Sequence, residues 1–264
     1  MEHLFTARRI VEEAIRRSES VFLMLDYDGT ITPIVATPQE AVLAEPMRDT
    51  LKRLAAVPKF HIAIISGRKL TELMRLVGLG NIYCAGNHGL EIRGPSLRFT
   101  FHEAAKTKGA IISLARGLAR SLTHIPGVLV ENKALTLSIH YRLAPAGSVR
   151  EVRNIVEKAV ARVQGLTLRR GKKVFEVKPT GNWHKGAAAL WLLEKLDPHA
   201  LPVYIGDDTT DEDAFRTLGR AVTILVAKKP RKSHAKYRLN DPEQVAEFLN
   251  RLLETNQGPS QRHR

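Results

Sequence analysis

Two apolar strands, each closely followed by a pair of aspartates, constrain the fold of this 264-residue chain more than any other feature. VFLML precedes Asp26 and Asp28, and VYIG precedes Asp207 and Asp208. Strands without a polar position are typical of a parallel sheet covered on both faces, whose carboxyl edge binds ligands. Because a carboxylate in apolar surroundings is costly, the pattern indicates a cation or a chemical task at that edge.

Strand patterns alternate with helix patterns in two blocks of the sequence. In the first block the pattern predicts strands at HIAIISG and NIYCAG, and helices at EPMRDTLKRLAA and RKLTELMRLVG. After Pro179 it predicts helices at HKGAAALWLLEKL, EDAFRTLG and DPEQVAEFLNRLLE, separated by the strands VYIGDD and AVTILVA. This alternation predicts a Rossmann-like α/β core with a parallel sheet.

The segment between these blocks repeats a different pattern, a helix followed by two strands. We expect an α+β insert over residues 96–177, with a four-stranded antiparallel sheet and two helices, between core segments 1–95 and 178–264. Alternation along the strands sends one set of side chains toward the helices: Leu137, Ile139, Tyr141, Leu166, Leu168, Phe175 and Val177. The opposite face carries polar groups that would either be solvated or bind a sugar phosphate: Thr136, Ser138, His140, Arg142, Thr167, Arg169, Glu176 and Lys178.

Charge is distributed unevenly along the chain, whose formal net charge is +14. Between Glu91 and Lys178 there are 17 Lys or Arg, six Glu and no Asp, whereas six of the nine Asp fall in two tight groups, 26/28 and 207–213. The sequence shows no zinc-finger spacing and no aromatic pattern typical of RNA recognition. We therefore expect a carboxylate-rich centre and no nucleic-acid partner.

The cysteine content and the hydropathy of the sequence indicate the cellular compartment of the protein. The one cysteine, Cys84, excludes an internal disulfide framework and suits a reducing compartment. No apolar run approaches the ~20 residues that span a bilayer. We expect no membrane partner and a cytoplasmic location.

The two ends of the chain have distinct patterns. Leu4, Phe5, Ile10, Val11 and Ile15 recur at helical spacing, which predicts an amphipathic helix rather than a signal peptide. The last eight residues, QGPSQRHR, are predicted to be a frayed tail.

Three further polar signals fall at the predicted carboxyl edge. Ser66 follows HIAII, Gly67 lets the chain turn into a helix whose N–H groups attract anions, and Lys185 begins another helix. Magnesium prefers carboxylate and phosphate oxygens, so Asp26 and Asp207 are candidate ligands of a shared ion. A carboxylate is also a candidate nucleophile, and a second one two residues later a candidate general acid and base.

Taken singly, each of these signals has an ordinary structural explanation. Ser66 suits a helix cap, Lys185 a solvated helix start, and Asp211 compensation of the dipole of the helix in TTDEDAF. Their ordered combination is more specific.

The segments LDYDGT, IISGR, WHKG and GDDTTDEDAF resemble the four motifs of the haloacid dehalogenase phosphatases, in the family's order. The resemblance implies Asp26 as nucleophile and Asp28 as general acid and base. It implies Ser66 and Lys185 as phosphate ligands. It also implies that Asp207 and Asp208 surround Mg2+ together with Asp26 and the backbone carbonyl of Asp28.

A wider set of segments resembles the trehalose-6-phosphate phosphatases along most of the chain: LDYDGTITPIV, AGNHGLEI, ENK with SIHYR, GKKVFEVKP and YIGDDTTDEDAF. The resemblance implies that the insert is a cap domain that recognises trehalose 6-phosphate, and it suggests a trehalose-phosphate synthase as a candidate partner. It assigns sugar or phosphate recognition to five residues: His88, Glu131, Lys133, Arg142 and Glu176. Gly67 is a further substrate-binding candidate, because the helix that it opens has N–H groups that attract anions. From the residues alone, Glu131 also suits a hairpin turn, and His88 a structural histidine.

Two other functions stay open at this point. One is a capped phosphatase of mannosyl- or glucosyl-phosphoglycerate or of sucrose phosphate, since substrate choice depends on the cap. The other is a nucleic-acid-binding module on an inactive phosphatase core, favoured by the basic stretch 228–238 with its six Lys or Arg.

Overall fold

A computed structural model describes residues 1–35, 40–171 and 173–256. The described chain forms two compact units. The first, which we call the core unit, comprises Met1–Arg98 and the described residues from Trp183 onward; the second, the insert unit, is Phe99–Asn182. The predicted tail QGPSQRHR lies outside the described residues.

The chain enters the core unit with alternating strands and helices and leaves it at a short hairpin. In chain order these elements are β1 (Glu2–His3), α1 (Arg8–Arg17), β2 (Val21–Leu25), α2 (Glu45–Leu54), β3 (Phe60–Ile65), α3 (Leu70–Val77), β4 (Tyr83–Gly86), β5 (Glu91–Arg93) and β6 (Arg98–Thr100), which continues two residues past the limit of the core unit. Pro46 lies in the first turn of α2, where its missing N–H costs nothing, and Gly78 ends α3 with a left-handed φ of 67°.

The insert unit contains the repeated pattern of a helix followed by two strands. Its elements are α4 (His102–Ser121), β7 (Leu129–Asn132), β8 (Leu137–His140), α5 (Val149–Ala161), β9 (Leu166–Gly171) and β10 (Val174–Pro179). The rest of the core unit follows as α6 (Lys185–Leu196), β11 (Leu201–Gly206), α7 (Glu212–Thr217), β12 (Val222–Val226), β13 (Tyr237–Leu239) and α8 (Pro242–Asn256).

The core sheet has nine strands in the order β1-β13-β12-β11-β2-β3-β4-β5-β6. Across the sheet, every neighbouring pair of strands from β1 at the edge as far as β4 is parallel, and β5 runs antiparallel to β4. Every residue of β2 is fully buried, so both faces of the central strand are covered. The predicted α/β class with a parallel core sheet is therefore confirmed, and β2 and β11, which carry the aspartate pairs, are direct neighbours.

The N-terminal prediction is wrong in part. The helix begins only at Arg8, and residues 2–3 form an edge strand parallel to β13. Val11 and Ile15, four residues apart, are buried on one face, whereas Ile10 is 69% exposed. Ile10 precedes Val11 by one residue and so lies about 100° around the helix axis from it, which turns it toward solvent.

The insert unit has a separate four-stranded antiparallel sheet in the order β7-β8-β10-β9. The predicted apolar face packs with α4 and α5 in one hydrophobic cluster that includes Leu137, Ile139, Phe175 and Val177. The opposite face is less solvated than one expects from a polar pattern, because Ser138 in the central strand β8 is buried.

Within the described residues, no helix has both the length and the apolar character needed to cross a membrane.

Candidate active site

Asp26 lies where the two central strands of the core sheet end. Its neighbour Leu25, the last residue of β2, pairs with Ile205 of β11 on one side and with Ile64 of β3 on the other. The backbone N–H of Asp26 donates to the carbonyl of Ile205 at 2.9 Å. The side chain is buried, so the carboxylate is held at the carboxyl edge with little access to bulk water.

Lys185, the first residue of α6, joins two carboxylates at this edge. Its Nζ donates to Oδ1 of Asp26 at 2.6 Å and to Oδ1 of Asp211 at 2.8 Å. Asp211 is fully buried, and it also accepts hydrogen bonds from the Tyr204 hydroxyl at 2.8 Å and from the Asp208 backbone N–H at 3.0 Å. We call Asp26, Lys185 and Asp211 the buried triad.

Burial and neighbouring charges act against each other in the triad. Burial raises the pKa of Asp26 well above its usual value, although the Lys185 ammonium opposes that shift. Burial alone would lower the pKa of Lys185, but the Asp211 and Asp26 carboxylates reverse the effect and raise it. Lys185 therefore stays charged, as a group that neutralises phosphate oxygens must.

Asp207 lies beside the triad and completes a cluster of three carboxylates. One oxygen from each of Asp26, Asp207 and Asp211 lies within 4.8 Å of the others. Oδ1 of Asp207 is buried and accepts no hydrogen bond from the residues that the structure describes. Burial, reinforced by the Asp211 carboxylate, raises the pKa of Asp207 to about 7. A hard divalent cation would relieve both the repulsion and the unmet hydrogen-bonding capacity, so these residues fit such an ion.

Gly29 makes room for Asp207. Its φ is +82°, and a Cβ at this position would lie 2.3 Å from Oδ2 of Asp207. The loop that carries Asp26 and Asp28 therefore comes so close to the Asp207 carboxylate that only glycine fits at position 29. The side chain of Asp208 lies outside the carboxylate cluster: it is exposed, and its Oδ1 accepts a hydrogen bond from the backbone N–H of Thr209 at 2.6 Å.

The side chain of Asp28 contacts Arg68. The guanidinium donates through Nε to Oδ2 at 2.8 Å and through Nη2 to Oδ1 at 2.6 Å, and its Nη1 donates to Glu72 at 2.6 Å. Arg68 is 6% exposed and lies 5.2 Å from the centre of the Tyr27 ring. This bidentate pair fixes the orientation of the Asp28 carboxylate.

The loops after β3 and β4 form one hydrogen-bonded unit. The backbone N–H of Asn87 donates to the Arg68 carbonyl at 2.7 Å, and that of His88 donates to the Ser66 carbonyl at 2.8 Å. Asn87 and His88 both have left-handed backbone conformations, with φ of 50° and 58°. A Cβ at Gly67 would lie 2.6 Å from the His88 ring. Strain of this kind is typical of functional sites, and it brings His88 against the loop of the predicted phosphate ligands Ser66 and Gly67.

Glu131 in the insert unit belongs to a half-exposed ion cluster. Its Oε2 is 2.8 Å from Nε2 of His140 and 3.7 Å from Nζ of Lys133. Burial raises the pKa of Glu131, but the contacts with His140 and Lys133 outweigh it and hold the pKa below its usual value. Glu131 is therefore an ionised acceptor on the polar face of the sheet.

Strand register aligns Glu131 with the other predicted acceptor, Glu176. Both are paired with Ser138 of β8, one from each side, and Glu176 is in turn paired with Arg169 of β9. These four residues form one row across the polar face. Arg142 lies beyond the end of β8 and is exposed.

Two parts of this arrangement were missed by the sequence analysis. Asp211 has the pattern of a first-turn residue of a short helix, and its contact with Lys185 joins positions 26 residues apart. Arg68 follows the motif IISG as one of many arginines in the chain. The sequence carries a weak signal for Asp211, since this residue stands within a dense group of aspartates. It carries no signal for the pairing of Arg68 with Asp28.

Comparison with known proteins supports the resemblance noted in the sequence. A family model described as trehalose-phosphatase matches residues 24–243, which is most of the chain. Probable trehalose-phosphate phosphatase J of Arabidopsis thaliana is 37% identical over 94% of this chain and 71% of its own length.

Solved structures agree with this finding. The C-terminal domain of C. albicans trehalose-6-phosphate phosphatase has a TM-score of 0.76 and 25% identity, covering 94% of this chain and 96% of that one. A trehalose-6-phosphate phosphatase related protein has a TM-score of 0.79 and 25% identity, covering 88% of this chain and 97% of that one.

Proposed function

The chain belongs to the trehalose-phosphatase family of phosphoric monoester hydrolases, and from this premise we propose that it hydrolyses trehalose 6-phosphate to trehalose and inorganic phosphate. The observation that carries the proposal is the buried triad beside Asp207, where Lys185 bridges Asp26 and Asp211. A cation, a nucleophile and a carboxylate cluster at one sheet edge are what phosphoryl transfer requires.

In the first step, a carboxylate oxygen of Asp26 attacks the phosphorus atom. The bond between phosphorus and the sugar oxygen breaks, and that oxygen takes a proton from Asp28 as trehalose leaves. Asp26 then carries the phosphoryl group as an aspartyl-phosphate. In the structure both oxygens of the Asp28 carboxylate accept hydrogen bonds from Arg68.

In the second step, Asp28 takes a proton from a water molecule as the water oxygen attacks phosphorus. The bond between phosphorus and Asp26 breaks, which releases inorganic phosphate and regenerates the Asp26 carboxylate. Lys185, whose charge the triad maintains, and Ser66 with Gly67 hold the phosphoryl oxygens during both steps.

We propose Mg2+ as the metal, held by the carboxylates of Asp26 and Asp207 and by the backbone carbonyl of Asp28. Asp211 is the less available carboxylate of the cluster, since both of its oxygens already accept hydrogen bonds. The sequence prediction also includes Asp208, whose side chain is turned to solvent. When bound, a divalent cation supplies positive charge that offsets the phosphate oxygens.

We propose that the insert unit, Phe99–Asn182, is the cap that recognises the disaccharide, for which the sequence predicts the limits 96–177. Trehalose presents many hydroxyl groups, and the row with Glu131 and Glu176 offers carboxylates that accept hydrogen bonds from them. Lys133 and Arg142 would add positive charge for the phosphate. His88 of the core unit would add a further polar contact.

Two further predictions concern the cell. We propose a trehalose-phosphate synthase as a partner, because such an enzyme produces the proposed substrate. The cytoplasmic location stays a prediction, which fractionation of the native cells would check.

A phosphate-release screen tests the substrate. Trehalose 6-phosphate, sucrose 6-phosphate, mannosyl- and glucosyl-phosphoglycerate and glucose 6-phosphate are offered in parallel, each with Mg2+ and each with a chelator. We expect the highest kcat/KM for trehalose 6-phosphate and no turnover with chelator. A preference of about tenfold or more for another ester, the scale of one pocket contact, would replace the proposed substrate.

A further inference from the structure

A short run of exposed cations follows β12 and has no part in the mechanism above. We call residues 228–232, KKPRK, the basic strip: four of its five residues are Lys or Arg, and all five are exposed. The chain contains no acidic residue between Asp213 and Asp241. A charged run is commonly no more than solvated surface, so its place in the fold decides what it does.

Two contacts anchor this loop to the segment that carries Asp207. Nη2 of Arg231 donates to the backbone carbonyl of Asp207 at 2.6 Å. Two residues past the strip, the backbone N–H of His234 donates to Glu212 Oε2 at 2.8 Å, and the His234 ring lies 3.2 Å from the same oxygen. The basic strip therefore lies at the carboxyl edge of the core sheet, next to the carboxylate cluster.

The position of the basic strip matters because the carboxyl edge of the core sheet is rich in aspartates. Lys185 and Arg68 are already engaged with carboxylates, Lys185 with Asp26 and Asp211 and Arg68 with Asp28. A phosphate monoester, itself an anion, approaches an edge rich in aspartates. The exposed ammonium groups of the strip supply the opposite charge on the loop that Arg231 joins to the Asp207 backbone.

We propose that the basic strip is an electrostatic docking surface that draws the phosphorylated substrate to the carboxyl edge. This inference rests on the proposed phosphatase function, and it deepens it by assigning a role to cations outside the reacting group. An exposed positive patch beside a site raises the local concentration of an anionic substrate and its association rate. It leaves the chemical step unchanged, so it acts on kcat/KM and not on kcat.

The test removes three charges and keeps Arg231, whose contact with Asp207 holds the loop. The variant replaces three exposed lysines by glutamine: Lys228→Gln, Lys229→Gln and Lys232→Gln. A matched variant removes the same charge at the opposite edge of the sheet, where α2 and α6 end and β3 begins: Lys52→Gln, Lys59→Gln and Lys195→Gln. Both variants and the wild type are assayed with Mg2+ over a range of NaCl concentrations.

At low ionic strength we expect kcat/KM of the strip variant to fall about threefold to tenfold, with kcat unchanged. The difference from the wild type should vanish at about 0.5 M NaCl, where the Debye length is below about 5 Å. The matched variant should keep the wild-type kcat/KM, because its lost charges lie at the far edge.

Two results would overturn the inference. One is an unchanged kcat/KM in the strip variant; if that variant also binds a DNA duplex more weakly than the wild type, the strip is assigned to nucleic acid. The other is a fall in kcat that persists at high salt, which would make the strip a structural support of the Asp207 loop. If the wild type prefers another phosphate ester, the proposed substrate is wrong, but the salt comparison on that ester still tests the strip.

Discussion

Two ion clusters, one in each unit, both pair carboxylates with basic side chains but differ in their exposure to water. In the triad of the core unit, the side chains of Lys185, Asp26 and Asp211 are 3%, 6% and 0% exposed. In the insert unit, the Glu131 side chain is 30% exposed and that of its partner His140 is 34% exposed. Burial strengthens charge interactions and makes an unpaired charge costly, so the core cluster is held in one geometry.

We propose that this contrast corresponds to a division of work. Phosphoryl transfer depends on groups held in fixed positions, which the buried cluster provides. Recognition of a sugar depends on hydrogen bonds exchanged with water, which the half-exposed row with Glu131 and Glu176 can make. We therefore expect substitutions in the core cluster to affect turnover and stability, and those in the insert row to affect substrate preference. The predictions below test that division.

Asp26→Asn should have the largest effect, because an amide is a far weaker nucleophile than a carboxylate. We expect kcat to fall by about 10³-fold or more. The matched control is Asp49→Asn, the same change at an exposed residue of α2. A kcat within threefold of wild type in Asp26→Asn would contradict the role of this residue.

Asp211→Asn should destabilise the protein, because Lys185 loses one of its two buried partners. We expect a loss of about 3 kcal/mol in the free energy of unfolding. Denaturant unfolding would measure this loss. Asp213→Asn is the control, since Asp213 in α7 forms a surface ion pair with Arg216, three residues later. Equal unfolding midpoints for the two variants would show that the buried triad is not a stabilising unit.

The pKa of Asp207 predicts a coupling between pH and metal binding. With a pKa of about 7 when folded and an ordinary value of 3.8, Asp207 keeps its proton in the folded protein over a range where the unfolded chain has lost it. Metal-free protein should therefore lose about 3 kcal/mol of stability as pH rises from about 4 to about 7. Because Mg2+ binds the deprotonated carboxylate, it should restore stability above pH 7 and do little at pH 5.

Thermal unfolding with Mg2+ or with a chelator, at pH 5 and pH 8, measures this coupling. We expect Mg2+ to raise Tm by about 5 °C at pH 8. Asp207→Asn is the control: it should remove the response to Mg2+ and reduce the pH slope, part of which stays because burial also raises the pKa of Asp26. An equal response to Mg2+ at both pH values would be inconsistent with a site built on Asp207.

Glu176→Gln should have the smallest and most selective effect. We expect KM for trehalose 6-phosphate to rise about tenfold, with kcat for p-nitrophenyl phosphate and Tm unchanged, because the lost contact is with the sugar. Glu157→Gln, an exposed change on α5 of the same unit, is the matched control. A similar loss on both substrates would remove the proposed role of the insert unit in specificity.

The sequence predicts the core better than the rest because its signals are local. An apolar strand followed by aspartates places Asp26 and Asp207 at one edge as soon as β2 and β11 are neighbours. The burial of Asp211 could not be predicted in this way, since it depends on contacts with Tyr204 and Lys185 that a linear pattern does not show. Strand β1 could not be predicted either, because two residues are too few to show a period.

The proposed mechanism requires that Asp26 becomes phosphorylated during turnover. The most direct measurement mixes enzyme with trehalose 6-phosphate and Mg2+, quenches with acid within milliseconds, and analyses the peptides by mass spectrometry. We expect a phosphoryl group on the peptide that contains Asp26, and none in Asp26→Asn. Phosphate release at full rate without any phosphorylated Asp26 peptide would contradict the mechanism.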